Sequence, residues 1–252
     1  MPRFFVRRNQ IEDQSITITG EDAHHISRSL RMAAGEHITV CDMQGVEYDC
    51  ILERFEEGSV TAKILSETPA ESEPICFIRL FQALPKGDKL DTVIQKAVEC
   101  GVGEIIPFES ERCIVRIRTD GEEKKEQRRA RIASEAAKQC GRSNIPTVLP
   151  AVRFAQAMEM AAQSDLCLFC YEGDGTLPLG RVLSEFSAKV GGDFFGKRIS
   201  IIIGSEGGFS QKEASIATDM GMTMVGLGKR ILRTETASGF VLACLVSLTE
   251  LT

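Results

Sequence analysis

The sequence lacks any run of about eighteen apolar residues, the length that a membrane-spanning helix requires. Its first ten residues, MPRFFVRRNQ, also lack the apolar stretch of a secretory signal. These absences predict a chain that neither crosses nor binds a membrane; the cytoplasmic location that we expect rests on its cysteines.

A disulfide framework is lacking as well. The nine cysteines are odd in number and scattered over 252 residues, whereas disulfide-stabilised domains are short and usually contain an even number. Reduced thiols are therefore expected. Cys167 and Cys170 form a C-x-x-C, but no second pair or nearby histidine completes a metal site, and we expect no metal.

Two nucleotide-binding motifs are missing. The first strand of the α/β region ends in QALPKGDK and carries no G-x-G-x-x-G fingerprint of a dinucleotide-binding enzyme. No G-x-x-x-x-G-K-[ST] loop is present either. These absences disfavour NAD and ATP as ligands.

The net charge of −6 argues against a chain that is basic overall. The charge is uneven, because residues 112–142 contain ten basic and five acidic residues, or +5, which leaves −6 − 5 = −11 for the rest. The central part of this stretch is predicted as a helix from apolar residues at three- and four-residue spacings, namely Ala130, Ile132, Ala133, Ala136 and Ala137. A solvated helix face and a phosphate-facing patch remain equally good interpretations.

The hydrophobic pattern changes along the chain. Residues 1–70 contain short segments that alternate apolar and polar residues, which predicts β-strands. The segment SETPAESEP is typical of a linker. From residue 75 onward, continuously apolar strands alternate with helical segments, which predicts an α/β domain with a parallel sheet covered on both faces.

Two glycine-bearing loops follow late strands of this region, GSEGG at 204–208 and GLGKRILRTETA at 226–237. Ligands of parallel sheets bind at the carboxyl ends of strands, where both loops are expected. Ser210 and Glu213 form a capping box that predicts a helix from about Gln211. A triphosphate would be repelled by Glu206, whereas S-adenosylmethionine would not, and bare glycine backbone can approach its adenine. The alternative is that these glycines only make tight turns.

Three segments carry a family resemblance: QALPKGDKLDTVIQKAVECGV, IIIGSEGGFSQKE and VGLGKRILRTETA. Together, over the whole chain, they resemble the RsmE family of 16S ribosomal RNA uridine-N3 methyltransferases, which belong to the SPOUT class. The resemblance implies a SPOUT domain at 75–252 with a deep trefoil knot, a PUA-like RNA-binding β-barrel at 1–70, and a homodimer. It departs at Ser205, where the family more often has proline, which puts the stiffness of that loop in doubt.

The resemblance also implies site residues. The cofactor, S-adenosylmethionine, would be bound by Tyr171, Glu172, Gly204, Ser205, Glu206, Gly207, Leu227, Gly228, Ile231 and Leu232. The catalytic candidates are Arg233, which would stabilise the uracil anion, and Glu206 or Glu235, either of which could accept the N3 proton. A purely structural alternative for Arg233 and Glu235 is an ion pair at the start of a helix, with Thr234 or Thr236 as its N-cap.

The candidates for binding RNA are Arg3, Arg7, Arg28, Arg31, Lys86, Arg128, Arg129 and Arg142. Arg3 lies beside Phe4 and Phe5, so charge and ring stacking could combine there, although a phenylalanine in the barrel core is an equally good interpretation. For Arg28 and Arg31 a simple solvated face is equally good.

Three functions are compatible with the sequence. An enzyme that methylates 16S ribosomal RNA in the small subunit is favoured, and the resemblance implies uridine 1498 and an assembled subunit as substrate. A Rossmann-type dehydrogenase is disfavoured by the position of the glycines. A non-catalytic RNA-binding ribosome assembly factor would leave the two glycine loops without a purpose.

Overall fold

The computed structural model describes residues 1–117 and 121–251, which divide into two compact units. The N-terminal unit consists of Met1–Glu73 with Ala137–Ile145, and the C-terminal unit consists of Pro74–Ala136 with the chain from Pro146 onward. Residues 118–120 of the predicted basic stretch lie outside the described residues.

The N-terminal unit is built on a six-stranded sheet in the order β1-β4-β5-β6-β3-β2, with one short helix, α1, at Gly20–His24 that continues into a π-helical turn at His25–Ser29. All neighbouring strands are antiparallel except β1 and β4, which are parallel. The strands are β1 Arg3–Phe5, β2 Ile11–Glu12, β3 Ser15–Thr19, β4 His37–Cys41, β5 Val46–Glu56 and β6 Ser59–Pro69.

Alternation of apolar and polar residues determines which strand faces pack together in this unit. Ile16 and Ile18 of β3 are buried while the residues between and after them are exposed, as expected for a strand with one face on a core. Matching residues on other strands complete the core: Phe4, Ile38, Val40, Tyr48, Cys50, Leu52, Val60 and Ala62. The predicted small N-terminal β domain is thus confirmed.

The carboxylate of Glu73 binds the second segment of the N-terminal unit, Ala137–Ile145. Glu73 accepts a hydrogen bond of 2.5 Å from Nη2 of Arg142 and further bonds from the backbone N–H groups of Ser143 and Asn144. Burial raises the pKa of Glu73, but the Arg142 guanidinium and the two N–H groups outweigh it, so the pKa lies below its ordinary value.

The C-terminal unit contains an eight-stranded parallel sheet in the order β10-β8-β7-β13-β11-β14-β12, with β9 beside β8. Its strands are β7 Phe77–Ala83, β8 Glu104–Glu109, β9 Thr147–Val148, β10 Val152–Arg153, β11 Leu166–Cys170, β12 Leu177–Pro178, β13 Arg198–Ile203 and β14 Thr223–Gly226. Its helices are α2 Lys89–Glu99, α4 Phe154–Ala161, α5 Leu179–Lys189, α6 Gln211–Asp219 and α7 Thr234–Thr249, and it contains α3 Glu122–Cys140 as far as Ala136.

The middle strands of this sheet are apolar on both faces. In β7 and β13 every residue after the first is buried, because helices cover both sides of a parallel sheet. The predicted α/β class with a parallel sheet is confirmed. The trefoil knot concerns how the chain passes through its own loops, and it stays a prediction.

Helix α3 forms where the apolar spacing predicts it, but the buried face differs by one residue. Ala133, Ala136 and Ala137 are buried as expected, whereas Ala130 is exposed and Arg129 is buried in its place. Arg129 donates from Nη1 to Glu122, two turns earlier on the same face, at 2.9 Å. This charged pair allows a guanidinium on the inner side of the helix.

The start of α7 also differs from the prediction. The helix begins at Thr234 with Arg233 as its N-cap, and neither threonine caps it with its side chain. The Thr234 hydroxyl instead donates to the carbonyl oxygen of Gly204 at 2.6 Å. A tertiary partner has therefore displaced the local capping bond that the sequence favours.

Candidate functional site

Three loops converge because β13, β11 and β14 are neighbouring parallel strands. The loops after these strands leave the same edge of the sheet, where ligands of parallel sheets bind. Together with residues 89 and 112 they enclose a cavity of about 710 Å³. That volume lies in the range of small-molecule sites, roughly 300–1,000 Å³.

Every residue predicted to bind the cofactor lines this cavity. Arg233 and Glu206, two of the three catalytic candidates, line it as well, whereas Glu235 is not among the lining residues. The lining cofactor candidates are Tyr171, Glu172, Gly204, Ser205, Glu206, Gly207, Leu227, Gly228, Ile231 and Leu232.

Glycines allow the loops to pack on one another. A Cβ at Gly204 would lie 3.2 Å from the Cα of Gly208, and one at Gly207 would lie 3.0 Å from the Cβ of Arg112. These glycines are therefore required by contacts within the protein. Gly228 differs, since its φ of +104° strains any L side chain while a Cβ there would meet nothing within 4 Å.

Glu206 is held by the segment that follows β7. Its Oε1 accepts hydrogen bonds from Nζ of Lys89 at 2.8 Å and from the backbone N–H of Lys86 at 3.1 Å. Burial raises the pKa of Glu206, but the Lys89 ammonium and backbone N–H donors lower it by more, so its pKa lies below the ordinary value. Glu206 is consequently a weak base.

Lys89 also approaches the third catalytic candidate. Its Nζ lies 4.0 Å from Oε2 of Glu235, an oxygen that is buried and accepts no hydrogen bond from the described residues. One ammonium thus lies near both candidate proton acceptors, and it binds Glu206 more closely than Glu235.

The capping box that the sequence predicts is present at the start of α6. The hydroxyl of Ser210 accepts from the N–H of Glu213, and the Glu213 carboxylate accepts from the N–H of Ser210 at 2.9 Å and from that of Glu111 at 2.8 Å. The carboxylate already satisfies donors at this helix terminus. The loop before it is anchored by Phe209, whose ring centroid lies 4.2 Å from that of Phe169 in the core.

Buried polar atoms without a partner are concentrated around these loops. Among residues 1–117 and 121–251, the buried side-chain oxygens that lack one are Gln82 Oε1, Ser205 Oγ and Glu235 Oε2. Ser205 lines the cavity. Gln82 and Glu235 do not line it, but Gln82 is hydrogen-bonded to the lining residue Thr234, and Glu235 lies near the lining residue Lys89. Because buried polar groups are usually satisfied, the unpaired hydroxyl of Ser205 in the cavity wall fits a polar ligand. S-adenosylmethionine, which offers an adenine, a ribose and an amino-acid end, matches these residues chemically.

The predicted RNA-binding residues fall into two groups. The exposed ones are Arg7, Arg28, Arg31, Lys86 and Arg128, of which Arg128 contacts Asp91 at 2.6 Å. Arg3 pairs with Glu47 at 2.7 Å, and Arg129 and Arg142 are buried in ion pairs with Glu122 and Glu73. Burial disfavours direct contact of Arg129 and Arg142 with a phosphate.

Sequence reasoning missed four cations that line the cavity: Lys89, Arg112, Lys229 and Arg230. Lys89 lies in the segment QALPKGDKLDTVIQKAVECGV, and Lys229 and Arg230 lie inside the second glycine loop. Their positions in these motifs could have predicted that they reach the site. No sequence motif indicated Arg112. It is placed at the site by a tertiary hydrogen bond of 3.1 Å from its Nη1 to the carbonyl oxygen of Gly207, 95 residues away.

Two features are absent from residues 1–117 and 121–251. No helix there is long and apolar enough to span a membrane. No group of three or more His, Cys, Asp or Glu residues in that part of the chain is arranged to hold a metal ion.

Comparison with known proteins identifies the family. The model of an RNA methyltransferase domain matches residues 71–246, and that of an RNA methyltransferase PUA domain matches residues 18–65. Ribosomal RNA small subunit methyltransferase E of Bacillus subtilis is 35% identical over 254 residues, which cover 100% of this chain and 98% of the relative. The chain belongs to the ribosomal RNA small subunit methyltransferase E family. The predicted RsmE resemblance is therefore confirmed, and a Rossmann-type dehydrogenase is excluded.

Solved structures of similar proteins agree with this membership. Ribosomal RNA small subunit methyltransferase E from Neisseria gonorrhoeae, bound to S-adenosyl methionine, aligns with a TM-score of 0.85, 32% identity and 98% coverage of each chain. A methyltransferase from Legionella pneumophila, in complex with the cofactor SAM, aligns with a TM-score of 0.84, 29% identity and coverage of 97% and 96%. Both relatives share the fold over nearly their whole length.

Proposed function

We propose that this chain transfers the methyl group of S-adenosylmethionine to N3 of a uridine in 16S ribosomal RNA of the small subunit. The observation that carries the proposal is the meeting of the three loops in one cavity, lined by every residue that the family motifs place at the cofactor. The family membership gives the reaction class, and the RNA methyltransferase PUA domain gives the class of substrate. A non-catalytic assembly factor would leave this cavity without a ligand.

The cofactor contributes an electrophilic methyl group on a sulfonium sulfur. Residues of this chain contribute its binding site: the backbone of Gly204 to Gly207 and of Leu227 to Gly228, with Tyr171 on the third loop. Because the glycines present bare main chain, hydrogen bonds to an adenine need no side chain. Alignment of the reactants and exclusion of water would provide most of the rate.

The N3 proton of uridine must leave before or during methylation, and negative charge then develops on the ring oxygens. Arg233 lines the cavity and is the N-cap of α7, so its guanidinium is the proposed stabiliser of that charge. Glu206 is a poor acceptor because its pKa is lowered. The other candidate acceptor is Glu235, whose Oε2 accepts no hydrogen bond from the described residues; because Glu235 does not line the cavity, we propose that the proton reaches it through water.

RNA is proposed to be held by residues 1–70, with 75–252 as the catalytic domain. An RNA-binding role for the N-terminal unit is supported by its exposed arginines Arg7, Arg28 and Arg31, which could contact phosphates. The homodimer rests on the family resemblance, and the cytoplasmic location rests on the scattered, odd-numbered cysteines.

Two measurements test the function. Calorimetric titration should detect binding of S-adenosylmethionine and none of NAD. Small subunits isolated from a strain that lacks this methylation should then gain one methyl group per 16S RNA, located at N3 of a uridine by nuclease digestion and mass spectrometry. Binding without transfer would support an assembly factor instead, and the absence of cofactor binding would refute the proposal.

A further inference from the structure

The segment QALPKGDK carries part of the family resemblance, and its first residue is buried beside the site. Gln82 lies near the end of β7 and is 0% exposed. Its Nε2 contacts the hydroxyl oxygen of Thr234 at 2.9 Å, the carbonyl oxygen of Ala83 at 3.0 Å and that of Gly204 at 3.4 Å. One side chain thus joins the end of β7 to the first cofactor loop and to the first residue of α7.

The direction of these hydrogen bonds is determined by their partners. Carbonyl oxygens can only accept, so the amide nitrogen of Gln82, and not its oxygen, must face Ala83 and Gly204. The Thr234 hydroxyl accepts from Gln82 and donates its own proton to the Gly204 carbonyl at 2.6 Å. Gln82 and Thr234 therefore hold the same carbonyl group.

Only the nitrogen end of the Gln82 amide has hydrogen-bond partners. The other residues of β7 after its first are buried and mostly apolar, and Oε1 of Gln82 is buried without a hydrogen-bond partner among the described residues. An unsatisfied buried acceptor is unfavourable, whereas an apolar side chain of the same shape would avoid it. At this position the amide therefore joins the cofactor loop to α7 through its nitrogen, at the expense of a buried oxygen that an apolar side chain would not have.

We infer that Gln82 is a positioning residue for methyl transfer, which through Thr234 fixes Gly204 of the cofactor loop relative to Arg233 and Glu235. Thr234 lies between these two residues in the chain, so holding Thr234 limits the position of both. The inference rests on the proposed function. Displacement of reacting groups by about 1 Å costs roughly a hundredfold in rate, so a small shift of α7 against the loop would be sufficient.

Two substitutions test the inference, each close to the shape of the native side chain. Gln82→Met removes the amide donors, and Thr234→Val removes the hydroxyl that relays between Gln82 and Gly204. Each should lower the single-turnover methylation rate at saturating cofactor and RNA by about a hundredfold. Cofactor affinity should fall by no more than about tenfold, the factor that one hydrogen bond is worth. Thr234→Ser, which keeps the hydroxyl, should restore most of the rate.

The rate of a double variant distinguishes a positioning role of Gln82 and Thr234 from a general loss of stability. Because both act on one carbonyl group, the Gln82→Met/Thr234→Val double variant should be about as slow as either single variant. Ser200→Ala is the matched control, since Ser200 is also 0% exposed, lies on β13 and has its hydroxyl 2.7 Å from that of Ser164. It should lose thermal stability and keep its rate.

Several results would overturn the inference. One is a folded Gln82→Met protein that transfers methyl within about twofold of the wild type; another is a double variant whose loss is the product of the two single losses. If Gln82→Met does not fold, equal rates for Thr234→Val and Thr234→Ser would have the same meaning. The wild-type protein in the same assay tests the proposed function separately, because its failure to methylate would be independent of any variant.

Discussion

Lys89 and Glu206 form an ion pair, with 2.8 Å between Nζ of the lysine and Oε1 of the glutamate. The lysine is the first residue of α2 and the glutamate belongs to the first cofactor loop, so the pair ties a helix to a loop 117 residues later. Both side chains are about one-third exposed, and an exposed pair contributes little to stability. Its main consequence is for the charge state of Glu206.

Replacing Lys89 with methionine should shift the pH dependence of cofactor binding. The folded-state pKa of Glu206 is lowered, so the ionised form and the order it gives to the loop are present above the unfolded-state pKa and are lost as the pH falls. Without the ammonium, burial is the largest influence left, and the pKa rises. Calorimetry across the acidic range should show affinity lost at a higher pH in Lys89→Met than in the wild type.

The matched control for this experiment is Lys96→Met on the same helix. Lys96 forms an exposed pair with Glu99 at 2.9 Å and lines no part of the cavity. Its pH profile should follow the wild type. Identical profiles for all three proteins would show that Lys89 has no electrostatic effect on binding.

Gly228 should be replaceable only at the cost of loop strain. Its φ of +104° is unfavourable for alanine, and nothing within 4 Å would obstruct the new Cβ. Gly228→Ala should therefore lower the free energy of unfolding by about 1–2 kcal/mol and weaken cofactor binding. Gly180→Ala is the control, because Gly180 lies in α5 with an unstrained backbone and open space around it. It should gain up to about 1 kcal/mol, and equal behaviour of the two variants in both assays would contradict the prediction.

What the sequence could predict was mostly local. The capping box at Ser210 and Glu213 depends on residues three apart, and the structure contains it where expected. The parallel sheet followed from apolar strands alternating with helices, and the cofactor loops followed from glycines at strand ends.

What the sequence could not predict depends on distant partners. Arg129 is expected to be exposed because a helix pattern counts a guanidinium as polar, yet its pair with Glu122 places it inside. Thr234 is one of two threonines that the sequence offers as a helix cap, yet its hydroxyl bonds to Gln82, 152 positions away, and to Gly204. No local pattern contains such bonds, since they exist only once the sheet has brought its strand ends together.

Exposed and buried arginines should affect RNA binding differently. Binding of small subunits by the wild type should weaken with added salt, because lysine and arginine side chains displace counterions from phosphates. Changing Arg7, Arg28 and Arg31 together to glutamine should reduce the slope of log affinity against log salt by about 0.9 for each phosphate that is no longer neutralised. Lys96, Lys189 and Lys197, which lie in the C-terminal unit, changed to glutamine would be a charge-matched control, and an equal change of slope would show that only net charge matters.

Glu73 should make the stability of the N-terminal unit depend on pH. Its folded-state pKa is lowered, so its contribution is complete above the unfolded-state pKa and is lost as the pH falls through the folded-state pKa. Glu73→Gln should cost about 1.5–3 kcal/mol at neutral pH, because it removes the charge of a carboxylate that accepts hydrogen bonds from Arg142 and from the backbone N–H groups of Ser143 and Asn144. In acid the two proteins should become equally stable. Urea unfolding at several pH values measures this, and a difference that persists at the lowest pH would contradict it.

Arg233 should matter more for the transition state than for binding. Arg233 lies in the second glycine loop, directly before α7, and lines the cavity, where it can face a uracil ring on which negative charge develops. Arg233→Ala should therefore lower the single-turnover rate on the order of a hundredfold, the size expected for one lost charge-stabilising donor. Arg233→Lys should recover only part of the rate, because lysine lacks the planar fork of guanidinium.

Arg230→Ala provides the control, since Arg230 also lines the cavity and has no assigned contact with the uracil. Rates measured with saturating RNA and cofactor separate the outcomes: a near-normal rate for Arg233→Ala refutes the catalytic role, and a normal rate with strongly weakened cofactor binding moves Arg233 to the cofactor site.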